Sequence, residues 1–119
     1  MSVMKGGFSR AASMACLIAF AAGPALGAEK PTRFWNLASK TVSELRLAPA
    51  GTKDFGENQT LNDKDKTVDH DERVAVKGVE SGVYDVKIGF EDGKMCLAKN
   101  VKVEKGQVFS IEDKDLVCK

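Results

Sequence analysis

The chain has 119 residues, with 18 basic and 17 acidic side chains, three cysteines and one histidine. That length fits a single domain with a small core. Its charges are near balance and interspersed, which excludes the basic stripe that nucleic acid requires and the polybasic patch that suits an anionic membrane.

The first element is an export signal. Lys5 and Arg10 form a positive start, Ala11 to Ala22 is a charge-free apolar run, and Gly23-Pro24 breaks it. Ala25-Leu26-Gly27-Ala28 then offers small residues to a peptidase. The run is too short to span a membrane, which takes roughly 20 apolar residues. One arginine does not make a twin-arginine signal, and Cys16 lacks the aliphatic residue expected three places upstream of a lipoprotein cysteine. Residues 1–28 are therefore expected to be a helical signal peptide that is cleaved. Residues 29–119 would form one periplasmic or secreted domain with a net charge near −1 and no membrane insertion.

Beyond the signal the hydrophobic pattern has period two. Phe34 and Trp35 open the first strand, and Glu44-Leu45-Arg46-Leu47 alternates up to a stop at Pro49-Ala50-Gly51. Arg73 to Lys77 alternates next. In Val83 to Phe90, Tyr84, Val86, Ile88 and Phe90 share one face, opposite Asp85, Lys87 and Gly89. Asn100 to Glu104 and Val108 to Ile111 complete the set. Glu91-Asp92-Gly93-Lys94 and Glu104-Lys105-Gly106-Gln107 read as tight turns, and Gly78 to Gly82 separates two strands. Only Thr41 to Leu47 is ambiguous between strand and helix. The expectation is an all-β protein, a small antiparallel β-sandwich of prealbumin-like or immunoglobulin-like type.

The expected core is Phe34, Leu37, Val42, Leu45, Leu47, Val74, Val76, Tyr84, Val86, Ile88, Phe90, Leu97, Val101, Val103, Phe109 and Ile111. Cys96 and Cys118 are too far apart for a C-x-x-C redox motif, and in an oxidising compartment they suit a structural disulfide. Such a bond closes a loop of about 20 residues and contributes about 3 kcal/mol. Two free thiols or pairing with another chain are the alternatives. If Leu97, Val101 and Val103 all face inward on an unbroken strand, parity turns Cys96 outward. A bulge would reverse that.

Several segments together resemble a family of small exported proteobacterial proteins. They are Phe34-Trp35-Asn36-Leu37, Glu44 to Gly51, Phe55-Gly56-Glu57-Asn58, Asn62 to Asp65, Asp69 to Arg73, Tyr84 to Lys87 and Phe109 to Asp113. Members of that family often carry tryptophan at the place of Phe55 and cysteine at the place of Thr60, which implies a reduced disulfide set here. The resemblance implies no activity. Arg73 to Phe90 is also similar to the G-x-Y-x-V turn and strand of prealbumin-like sandwiches, a likeness of fold that carries no function.

Candidate chemistry centres on Asn62 to Glu72. Asp63, Asp65, Asp69 and Asp71 form an oxygen-rich series suited to calcium, and the first two have the spacing that opens an EF-hand loop. Thr67, Val68 and Val74 then stand where an oxygen ligand, the bending glycine and the closing glutamate belong. A solvated loop is the simpler expectation, with zinc through His70 the remaining option. His70 lies between Asp69 and Asp71, whose negative potential favours its protonated form. No G-x-S-x-G elbow and no phosphate-binding glycine loop is present. Trp35, the sole tryptophan, is a candidate surface anchor or the cover of a sheet edge. Asn58-Gln59-Thr60 formally matches a glycosylation site and marks an exposed loop.

The leading expectation is a non-enzymatic exported sandwich, without a required cofactor, that binds an unidentified protein or an envelope component. A calcium-binding module is the alternative, and a small hydrolase or redox enzyme comes third.

Overall fold

A computed structural model describes residues 30–119. The expected signal peptide at 1–28 lies outside these described residues. Among the described residues seven strands form two facing sheets, so the domain is a small all-β sandwich. They are β1 (Thr32–Leu37), β2 (Val42–Pro49), β3 (Arg73–Val76), β4 (Gly82–Phe90), β5 (Met95–Val103), β6 (Val108–Glu112) and β7 (Val117–Cys118). One sheet has the order β3-β1-β6 and the other β2-β4-β5-β7. Short 3-10 turns at Gln59–Asn62 and Asp113–Asp115 fill two of the connections. No helix among the described residues is long and apolar enough to cross a membrane.

The strands follow the alternation in the sequence, and the ambiguous stretch before Leu47 is strand. One pairing departs from the all-antiparallel expectation: β1 and β6 run parallel, with Phe34 opposite Phe109. β6 reaches that position from the opposite sheet, so it enters alongside β1 instead of turning back as a hairpin. The β4–β5 hairpin turns through Gly93, whose φ of +90° is readily adopted only without a Cβ. Phe90 and Lys94 close that turn with a backbone hydrogen bond of 2.9 Å.

Each sheet gives its inner face to a shared core. Phe34, Val74, Val76, Phe109 and Ile111 meet Leu45, Leu47, Val86, Ile88 and Val103 across the sandwich. The Phe34 and Phe109 rings pack with centroids 5.6 Å apart. Twelve of the sixteen expected core residues are buried, while Leu37, Tyr84, Leu97 and Val101 are half-buried. Val68 joins the core as an isolated bridge partner of Val42.

A bulge resolves the parity of β5. Tyr84 pairs with Val101 but Val86 pairs with Ala98, so Lys99 and Asn100 both stand opposite Asp85. Asn100 takes φ of +58°, a conformation asparagine tolerates better than most side chains. The extra residue reverses the faces. Cys96 and Ala98 point inward on one side of the bulge, Val101 and Val103 on the other, and Leu97 turns outward. The inward Leu97 expected from an unbroken strand is thus corrected.

Cys96 faces Cys118 across β5 and β7, and the two form a disulfide. The bond fits an oxidising, extracytoplasmic compartment.

Candidate binding groove

The acidic loop does not gather its carboxylates. Val68 is buried at its centre and exchanges backbone hydrogen bonds with Val42 of 2.8 and 2.9 Å, which splits the loop into two arms. On the first arm Asp63 accepts the Asp65 N–H. On the second, Asp69 accepts the Thr41 hydroxyl, and Asp71 accepts the Trp35 indole N–H at 3.0 Å. Glu72 accepts the Asp69 N–H. Among the described residues no three of His, Cys, Asp and Glu form a group able to hold a metal ion. His70 lies beside this loop with Nδ1 2.8 Å from the Ala38 carbonyl, so a protonated Nδ1 donates to the backbone.

Trp35 is half-buried on the outer face of the three-stranded sheet. Its indole N–H is held by Asp71, and the Arg73 guanidinium stacks over its ring at 4.1 Å. Arg73 is its cross-strand partner, so register alone places the cation on the ring. Both the polar and the apolar parts of this residue are engaged within the domain. The glycosylation-type triplet is also not an exposed loop. Gln59 and Thr60 are buried, and Asn58 accepts the N–H groups of Leu45 and Thr60.

A different surface has the form of a binding site. The outer face of the four-stranded sheet carries a groove of about 400 Å³. Its apolar lining comes from Phe55 on the loop after β2, Met95 and Leu97 on β5, and Val117 on β7. Val117 keeps 73% of its surface exposed although it is an aliphatic residue on a sheet. Leu97 pairs with Val117 on the neighbouring strand, and Met95 lies two residues from Leu97 on the same face of β5, so the three side chains form one apolar row.

Lysines 53, 87, 99 and 119 also line the groove. The Lys87 ammonium lies 5.3 Å from the centre of the Phe55 ring, which pins the loop over the sheet. Among the described residues none of these four lysines makes an ion pair, whereas Lys40, Arg46, Lys102 and Lys105 do.

Among the described residues Asp85 is the one acid that lines the groove, with 4% of its surface exposed. It accepts the Gly51 N–H at 3.0 Å and the Asn100 N–H at 3.1 Å. Those two bonds, aided by the charge of Lys99, hold its carboxyl below the ordinary value. The same residue therefore ties the turn after β2 to the β5 bulge.

Sequence reasoning missed this groove, because Leu97 was expected in the core. The available signal was a run of outward strand positions, 95, 97 and 117, that are apolar where charge is usual.

No family model, curated protein or solved structure matches the chain.

Proposed function

We propose that the protein is an exported, non-enzymatic binding module of the bacterial envelope, and that its working surface is the groove on the β2-β4-β5-β7 sheet. The observation that carries this reading is the row Met95, Leu97 and Val117, apolar and outward-facing on a sheet whose inner face already supplies the core. A small domain gains no folding stability from leaving Val117 in water, so its position is better accounted for by a partner that covers it. The signal-like N-terminus and the disulfide support placement in the periplasm or the medium.

The β7 and β3 edges offer a partner less. β7 is two residues long, the neighbouring strand is bulged, and β3 is capped by Asn62 and Gln59 side chains that bond Ala75 and Lys77.

The test compares tagged wild-type protein with Leu97→Glu and Trp35→Ala variants produced in a bacterial host and isolated with the envelope fraction. Leu97→Glu adds a charge to the groove and leaves the inner core intact. A component that co-purifies with wild type and Trp35→Ala but not with folded Leu97→Glu is the expected result. Retention by Leu97→Glu with loss in Trp35→Ala contradicts the proposal.

A further inference from the structure

We infer that the groove's ligand is a monomeric amphipathic anion, a single acyl chain ending in a carboxylate. The inference rests on the groove being the working surface and adds the chemistry of what fills it. Its lining divides into two parts. The apolar row of Leu97, Met95 and Val117, with Phe55, suits a hydrocarbon chain, and Met95 is a flexible thioether that adapts to chain shape. Around it stand four lysines whose charges no ion pair among the described residues neutralises. Lysine stems lie readily along apolar surface while the ammonium stays in water, so chain and headgroup contacts fall at different depths.

Asp85 sets the orientation. It remains anionic inside the groove, with its oxygens directed to the N–H groups of Gly51 and Asn100. An anionic head is repelled from that floor and drawn to the lysines, and the chain lies along the row that carries no charge. A cationic head receives the opposite instruction from four lysines against one carboxylate. The volume of about 400 Å³ is at the lower end of small-ligand sites, which span roughly 300–1,000 Å³. It accommodates one chain and is small for a two-chain lipid.

The experiment is a methyl and amide NMR titration of the purified, oxidised protein with sodium dodecanoate below its micelle concentration. Dodecyltrimethylammonium and dodecyl maltoside serve as chain-matched controls. Saturable shifts at Leu97, Met95 and Val117 are expected, with affinity at least tenfold above that for the cationic amphiphile. Lys53→Glu combined with Lys119→Glu, two exposed positions outside the core, is expected to weaken dodecanoate at least tenfold and leave the melting temperature unchanged. Equal binding of the three amphiphiles overturns the anion. Shifts seen only with phosphatidylglycerol vesicles overturn the monomeric ligand in favour of a membrane surface. No binding at all overturns the ligand class. In that last case, loss of the envelope component in Leu97→Glu leaves the groove reading standing, while its retention removes both.

Discussion

Asn36 has no exposed surface, yet every polar atom of its side chain has a partner. Its amide donates to the Lys40 and Val68 carbonyls, and its oxygen accepts the Ala38 N–H. One residue thus fastens the β1–β2 connection to the inward-turned Val68. Asn36→Ala takes the partner from the Ala38 N–H and the Lys40 carbonyl and one of two donors from the Val68 carbonyl, and is expected to cost about 2 kcal/mol or more in a urea melt. A loss below about 0.5 kcal/mol, the range of ordinary surface changes, contradicts this role. Asp85 works through charge. Its folded pKa is lowered from 3.8, so its stabilising contribution is present above that value and is lost as pH falls through the lower folded one. Wild type is expected to lose stability on acidification below about pH 4 more steeply than Asp85→Asn, which starts less stable at pH 7. Parallel acid limbs in the two melts rule this out. None of these roles was legible in the sequence. Asn36 and Asp85 resemble any polar strand residue until distant backbone groups are brought to them.

At the scale of elements, the β5 bulge and the disulfide decide which side chains face out. The alternation of Tyr84 to Phe90 was readable directly because β4 is central and unbroken, with apolar side chains on its core side and Asp85, Lys87 and Gly89 on the other. β5 was not, since the bulged Lys99-Asn100 pair leaves no mark in a period-two pattern. β7 is too short to have a period at all. Cys96 and Cys118 were paired from compartment and spacing, and the structure adds that they join adjacent strands. Replacing both by serine is expected to lower stability by about 3 kcal/mol in denaturant melts, chiefly by freeing the unfolded chain. It should also release β7 and so weaken any ligand bound against Val117. A double variant as stable as the oxidised parent contradicts this. The acidic loop is held by Val68 and by hydrogen bonds to its own carboxylates. Its melting temperature is expected to be the same in excess chelator and in calcium at about 1 mM, within the weak range of extracellular calcium modules. Stabilisation near 2.7 kcal/mol, which linkage gives at a hundredfold excess over the dissociation constant, would restore the calcium module, provided Asp63→Ala with Asp65→Ala abolished it.

For the molecule as a whole, one chain of modest core serves two faces. The inner faces of both sheets make the sandwich, and the outer face of the larger sheet retains apolar side chains that folding does not use. The fold class was legible because core patterning is a local property that repeats along each strand. The groove was not, because residues 51 to 119 supply it from a loop, three strands and the chain's last residues. Its four lysines are interspersed with acids in the sequence, and only the folded chain places them together. Balanced net charge accordingly concealed a local positive field.

The most direct test of the central claim follows the methyl resonances of Leu97 and Val117 while the labelled protein is titrated with an extract of bacterial envelope amphiphiles and proteins. Leu61 and Val108, exposed at 56% and 47% and lining no part of the groove, act as internal controls. Saturable shifts confined to the groove methyls are expected. Shifts that spare Leu97 and Val117 but appear around Trp35 or the acidic loop would place the working surface elsewhere and contradict the account.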